Sequence, residues 1–399
     1  MKIFILTGNP YPNGKAATNR IKCYARALVE GGFDCEVVVY RRTEVFGKDV
    51  INASSRGYYE GVPYRYASNK TTRNRNRIVR YLIDKYDLYK TGRYLHRKMK
   101  GGDVLLLYMG GPLSYVMHFM KIAHSCGAYC IRDLSELPYG TTKETKRTIK
   151  LRKVLVKRQF PRLNGVICIS DALMNFAKDY TKSSCKCIKV PIMVEFDHYD
   201  IPDYSSKEAV PFIFHAGTLD QQKDGILGMI EAFGMALNKL EMPIKYILTG
   251  DIDSSAESKE IRQLIEVYHL ENRISFVGYL TREQIKRYLS KASLAISNHP
   301  KSKQDYYGFS TKLGEYMASA TPIIVTNYGE VMNWIKDEES AYVIDPENVD
   351  ELSNAIVRVF NKPDEAKRVG QGGKKVCFEC FDYRNWIKPL SDFLNDLGK

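Results

Sequence analysis

Residues 305–326 read DYYGFSTKLGEYMASATPIIVT, and the interpretation of this stretch decides the fold. Gly308 supplies a flexible turn. Ser310 and Thr311 are natural helix N-caps, a helix-forming run continues to Ala320, and Pro322 stops it. Ile323-Ile324-Val325 then reads as a short buried strand. The first-turn amides of such a helix have no partner within it, and the helix dipole adds positive potential there, so the turn suits an anion such as a diphosphate. Lys312 and Glu315 stand three apart and share one face of that turn. The carboxylate can accept from two vicinal ribose hydroxyls while amides and a lysine hold phosphate. The same residues also fit a plain capped helix on a sheet, with Lys312 and Glu315 as a surface pair.

Outward from this stretch, strands and helices alternate. Lys2–Thr7 is a strand, GNPYPNGK a turn, Ala16–Glu30 an amphipathic helix and Cys35–Tyr40 the next strand. This strand–loop–helix–strand unit begins a parallel sheet, although no G-x-G-x-x-G fingerprint is present. Gly47–Arg65 reads as a loop or hairpin. Further strands are expected at 103–108, 128–132, 165–169 and 186–190, with a turn at Gly110-Gly111-Pro112. Residues 195–210, EFDHYDIPDYSSKEAV, are polar with little periodicity and read as a linker. A second doubly wound sheet opens at 212–215 and continues through 244–249, 274–277, 293–297, 323–326 and 342–344, with helices between and at 363–378 and 383–397.

A chain of 399 residues with 44% hydrophobic content suggests two domains. No run of about 18 apolar residues predicts a membrane-spanning helix. The N-terminal apolar run has no cleavage-site pattern and reads as a buried strand rather than a signal peptide. Nine scattered cysteines favour reduced, buried thiols and a cytoplasmic setting, and Cys377-x-x-Cys380 lacks the second pair a metal site needs. Charge is uneven. Residues 1–200 hold 36 Lys+Arg against 17 Asp+Glu, while the remainder holds 24 against 29. Between Lys70 and Lys100 eleven basic residues interleave with Ile78, Tyr81, Leu82, Tyr86 and Tyr89. Such a stretch fits an anionic membrane surface or an ordinary helix pair with a solvated face. Residues 143–162 form a second basic helix. Asp133 and Glu136 follow a strand at the end where open α/β sheets bind ligands, and are candidates either for acceptor contacts or for helix caps.

Five segments, in order, resemble the glycosyltransferase family 4 pattern: the opening strand and glycine loop, LNGVICISDAL, FHAGTLDQQKDG, ISFVGYLTREQIKRYLSKASLAIS and GFSTKLGEYMASATPIIVTNYGE. The resemblance implies two Rossmann-like doubly wound α/β domains facing across a cleft, the GT-B fold. It implies an acceptor domain at 1–200, a nucleotide-sugar domain at 201–379, and a C-terminal helix within 380–399 that returns to the first domain. It implies retaining transfer from a nucleotide-sugar such as a UDP- or GDP-sugar, with no metal. The acceptor would be a glycan or a lipid-linked saccharide in cell-surface polysaccharide synthesis, reached from the cytoplasm at the inner face of the membrane. By resemblance Glu315 holds the ribose, Lys223 a phosphate, and Gly14, Gly217, Thr218, Gly278, Tyr307, Gly308, Phe309, Ser310, Thr311 and Lys312 line the donor. The catalytic set implied is Lys223 and Glu315, with Glu136 and Asp133 toward the acceptor, and domain closure across the linker excludes water. Two departures stand out. Tyr307 occupies the place of the first glutamate of the family's paired-glutamate motif, and Thr218 that of an arginine on the diphosphate loop; Lys312 is a candidate to replace the missing cation. A non-catalytic nucleotide-sugar-binding protein and a sugar-nucleotide epimerase are the alternatives. No recognition motif supports a nucleic-acid partner.

Overall fold

The computed structural model describes residues 1–46, 50–109, 113–140, 144–199 and 210–398. They divide into two units, Met1–Met193 with Tyr383–Lys399, and Val194–Asp382. The expected turn at 110–112, residues 47–49 and most of the expected linker, 200–209, lie outside the described residues.

The first unit runs β1 (Lys2–Thr7), α1 (Ala16–Glu30), β2 (Asp34–Val39), β3 (Glu44–Val45), β4 (Arg56–Tyr59), β5 (Val62–Tyr66), β6 (Thr72–Arg73), α2 (Arg77–Lys98), β7 (Val104–Tyr108), α3 (Leu113–Ser125), β8 (Tyr129–Leu134), α4 (Lys146–Gln159), β9 (Gly165–Cys168), α5 (Asp171–Tyr180) and β10 (Lys186–Lys189). Its main sheet has the order β10-β9-β8-β7-β1-β2-β5-β4. Every pairing in it is parallel except the β4–β5 hairpin, which extends the edge beyond β2. Helices cover both faces of a parallel sheet, so its strands are apolar almost throughout. Ile3, Ile5, Val37, Leu106, Ile131 and Ile167 share one core with Ile21, Tyr24 and Leu28 of α1.

The second unit runs β11 (Phe212–His215), α6 (Gln221–Asp224), α7 (Ile226–Leu237), β12 (Lys245–Leu248), α8 (Ser258–Val267), β13 (Ile274–Phe276), α9 (Arg282–Lys291), β14 (Leu294–Ser297), α10 (Lys303–Tyr307), α11 (Thr311–Ala318), β15 (Ile323–Thr326), β16 (Tyr342–Ile344), α12 (Val349–Asn361) and α13 (Pro363–Val376). Its sheet is wholly parallel, in the order β13-β12-β11-β14-β15-β16. The chain then returns to the first unit with α14 (Ile387–Asn395), whose Leu390, Phe393 and Leu394 join the core around α1. The Tyr383 hydroxyl donates to Glu30 Oε1 at 2.7 Å and ties this return in place.

Both sheets reverse direction of winding once, between β1 and β7 in the first unit and between β11 and β14 in the second. Crevices beyond the carboxyl ends of strands at such switch points are where doubly wound folds bind ligands.

Two expectations need correction. Residues 195–199 are not linker. Val194 N bonds Phe381 O at 2.8 Å, Phe196–Tyr199 is a 3-10 turn, and Glu195 and Tyr199 are buried in the second unit. Their polar composition reflects a buried ion pair rather than solvation. The cysteines are all free, but Cys126, Cys185, Cys187 and Cys380 are partly exposed rather than buried.

Candidate nucleotide site

The second unit's switch point is built around β11. The strand ends at His215, fully buried, whose Nδ1 lies 2.8 Å from the Ile296 carbonyl of β14. A carbonyl only accepts, so Nδ1 donates to it and Nε2 faces the other way. There it lies 3.8 Å from Asp224 Oδ1. The turn that follows passes directly over this pair. A Cβ on Gly217 would stand 2.2 Å from His215 Nε2 and 2.8 Å from Asp224 Oδ2, so only glycine fits. Gly217 N is held by Thr249 Oγ1 at 2.9 Å, Thr218 N by Asp224 Oδ2 at 3.3 Å, and Asp220 caps α6 through the amides of Gln222 and Lys223. Asn298, just past β14, donates to the carbonyls of Asp224 and Gly225.

Helix α11 is bound to this turn by two contacts. Ala216 N donates to the Tyr316 hydroxyl at 2.7 Å, and Lys312 Nζ pairs with Asp224 Oδ1. Asp224 was not among the residues singled out by sequence, although it stands inside the quoted segment FHAGTLDQQKDG. Burial pulls its pKa upward, yet Lys312 and His215 outweigh burial and hold the carboxyl well below the ordinary aspartate value. A carboxyl depressed in the folded state adds stability that is complete above the unfolded value, about pH 4, and is lost as pH falls through the lower folded value. Thermal melts of the intact protein should therefore lose stability below about pH 4 that Asp224→Asn does not lose. Identical acid profiles would contradict this charge state.

Lys312 thus answers to a buried aspartate, and its proposed part as a substitute phosphate cation must compete with that pairing. Glu315, on the same helix, lies in a second polar set. Arg282 of α9 donates through Nη1 to the fully buried Glu195 at 2.7 Å and brings Nε to 3.9 Å from Glu315 Oε1. Burial, then the neighbouring Glu315 charge, push the Tyr199 hydroxyl far above its usual pKa, against the pull of Arg282, so it stays neutral. Glu195, Tyr199 and Arg282 were missed because a buried ion pair inside a polar segment looks like linker in sequence.

Ser310 occupies the N-cap of α11, but its side chain makes no capping hydrogen bond. Gly308 has φ −85° and ψ 178°, extended backbone open to any residue. Its necessity is steric rather than conformational, since a Cβ would meet Gln304 O at 2.8 Å at the end of α10. Phe309 is buried against Phe381, with ring centroids 5.7 Å apart, and anchors the turn from beneath. Tyr307 ends α10 half-buried, its ring edge-on to Tyr306. Thr218, on the turn after β11, and Lys223, in α6, are exposed. Gly278, at φ +70°, pairs with Gly250 beyond the ends of β12 and β13. Among the described residues no group of three or more His, Cys, Asp or Glu is placed to hold a metal ion.

Residues 200–376 match the family model "Glycosyl transferases group 1". An MMP alpha-(1->4)-mannosyltransferase from Mycolicibacterium hassiacum is 35% identical over 290 residues, covering 71% of this chain and 65% of that protein. A sucrose-phosphate synthase from Thermosynechococcus elongatus matches in structure with TM-score 0.75 at 18% identity, over 100% of this chain and 99% of the other. Residues 200–376 thus carry the pattern of the group 1 glycosyl transferases. The chain's two Rossmann-like units are those of the GT-B fold. Anabaena HepE in complex with UDP and glucose shares it, with TM-score 0.69 at 14% identity over 99% of this chain and 100% of that one. The chain spans between 22% and 65% of the length of the first curated relatives it matches.

The candidates of the first unit sit at its own switch point and beside it, after β1 and at the end of β8. Gly14 lies in the loop after β1, where a Cβ would stand 2.1 Å from Thr18 Oγ1. Asp133, near the end of β8, is buried and fully engaged. It accepts from Arg20 Nε at 3.1 Å, from the Tyr24 hydroxyl at 2.6 Å and from the Ser135 hydroxyl. Arg20 also donates to the carbonyls of Val190 and Pro191, so the cluster locks α1 to β8 and the end of β10. Asp133 therefore caps no helix; the next one, α4, is capped by Thr145. Glu136 is exposed in the loop that follows β8.

Proposed function

We propose that the chain is a retaining glycosyltransferase that moves a sugar from a nucleoside diphosphate sugar to a glycan or lipid-linked saccharide in cell-surface polysaccharide synthesis, at the cytoplasmic face of the membrane. The second unit holds the donor and the first the acceptor, and no metal takes part. The observation that carries this reading is the joining of the β11 turn to α11 through Ala216–Tyr316 and Asp224–Lys312. It brings the start of α11, with the amides of 310–311 and with Glu315 one turn further along, to the turn after β11. UDP in the complexes of HepE supports a nucleoside diphosphate as the ligand.

The bond between the anomeric carbon and the β-phosphate oxygen breaks, its electron pair leaving with the diphosphate. The acceptor oxygen bonds the same carbon from the same face and passes its proton to the departing phosphate. Backbone amides and Lys223 meet the charge that develops. No protein nucleophile is needed, and Glu136 is free to orient the acceptor hydroxyl. The exposed ammonium of Lys223 carries no structural burden, so Lys223→Ala should lower kcat about a hundredfold with an unchanged melting temperature. Steady-state kinetics beside a thermal melt checks this, and an unchanged kcat would remove Lys223 from the mechanism.

The experiment for the reading as a whole is a thermal-shift panel of UDP, GDP, ADP and their sugar conjugates, since ligands of the folded state raise its melting point. One nucleotide series should stabilise the chain. Nucleoside diphosphate should then be released when acceptor is added; release without sugar transfer, or no stabilisation by any series, would overturn the proposal.

A further inference from the structure

Helix α2 is turned against its own chemistry. Its inward side carries Asp87, Thr91, Gly92 and Leu95, all buried. Asp87 is engaged there by Arg42, whose Nε and Nη2 donate to its carboxylate at 3.2 Å. The opposite side carries Ile78, Leu82 and Tyr89 at 74%, 62% and 56% exposure, with Tyr86 beside them. The spacing of 78, 82, 86 and 89 follows one face of an α-helix. A solvent-facing helix ordinarily reverses this arrangement.

Cations frame the stripe. Lys85, Lys90 and Arg93 lie over the rings of Tyr81, Tyr86 and Tyr89, at 5.3, 5.3 and 5.7 Å from the centroids. Helix α3 packs against α2, and α4 against α3, on the same layer of the unit. α4 repeats the pattern, with Leu151 and Val154 exposed among Lys146, Arg147, Lys150, Lys153 and Lys157. Its lone acidic neighbour, Glu144, is taken up by Arg152 at 2.5 Å. No helix among the described residues is long and apolar enough to cross a membrane.

We infer that the outward face of α2, extended by α4, is a docking surface for an anionic lipid bilayer. Apolar and tyrosine side chains set among lysines and arginines match the interfacial zone, where rings sit at headgroup level and cations meet lipid phosphates. Charge decides against the other occupants. A second copy would bring the two cationic helices face to face, and a nucleic acid offers nothing for Ile78 and Leu82. The inference does not rest on the proposed reaction, although it would bring a lipid-linked acceptor within reach.

Vesicle co-sedimentation of the full chain, without donor or acceptor, tests it. Equimolar phosphatidylcholine–phosphatidylglycerol vesicles should pellet the protein at low salt, and phosphatidylcholine alone should not. High salt should release it, because the Debye length shrinks to about 3 Å at 1 M. Lys85→Gln/Lys90→Gln/Arg93→Gln should weaken binding about a hundredfold, roughly fivefold for each cation. Ile78→Ser/Leu82→Ser/Tyr89→Ser should weaken the low-salt binding to anionic vesicles without lowering the melting temperature, since those side chains are exposed. Absence of binding to anionic vesicles at low salt overturns the inference, as does wild-type binding by both triple variants. So does a wild-type dimer in gel filtration that the serine variant dissociates. A failed vesicle assay leaves the transferase reading intact, and an inactive chain can still bind vesicles.

Discussion

Glu315→Ala should lower kcat/KM for the donor about a thousandfold and weaken nucleoside diphosphate binding by a similar factor. Two charged hydrogen bonds to ribose hydroxyls, at about 1.5–3 kcal/mol each, set that scale. The fold should survive the change. Arg282 keeps its short pairing with the buried Glu195, so no cation is stranded when the Glu315 carboxylate goes. Calorimetric titration with the nucleotide, with a melt as control, reads both quantities. A variant with wild-type nucleotide affinity would move the ribose elsewhere. A variant that binds weakly only because it melts early would assign Glu315 to the scaffold.

Lys312→Ala should act mainly on stability. The substitution strands the Asp224 carboxylate, which is 5% exposed and lies beside the buried His215. Breaking a buried pair from one side costs about 3–5 kcal/mol, and the 22% exposure of the Lys312 side chain places this case near the lower figure. For a unit of this size each kcal/mol moves the melting temperature by about 2–4 °C, so a fall of about 6–12 °C is expected. Asp224→Asn in the same chain should restore most of it, because the stranded charge is then gone. Melting curves of the single and double variants decide the matter. Equal stability of all forms would show that the pair is dispensable, and a lost kcat with no loss of stability would return Lys312 to the phosphate.

Much of the fold was open to reading. Strands buried on both faces leave apolar runs such as KIFILT and PIIVT, and these were placed within a residue or so because little else produces them. The seam at 305–326 was legible for a different reason, since a cap, a helix and a stopping proline each act locally. What escaped was tertiary. The short helix α10 precedes Gly308 with no strong periodicity, and the helix expected between the strands at 323–326 and 342–344 is a single 3-10 turn at Val331–Asn333. Asp224 gave no local hint that His215 and Lys312 converge on it from other elements. Asp133 looked like a ligand-facing carboxylate because its partners Arg20 and Tyr24 lie more than a hundred residues away. Residues 195–199 looked solvated because the arginine that neutralises Glu195 stands 87 positions later. In each case charge or polarity was visible, but the partner that decides its role was not.

The central claim is that a nucleotide lies on the turn after β11 and on the start of α11, with Glu315 gripping its sugar. A crystal structure of the chain with the nucleotide chosen by the thermal-shift panel tests this most directly. The account predicts both ribose hydroxyls within hydrogen-bond distance of the Glu315 carboxylate and the pyrophosphate against the amides of Ser310–Thr311. Nucleotide bound away from these residues, with Glu315 turned only toward Arg282, would contradict it.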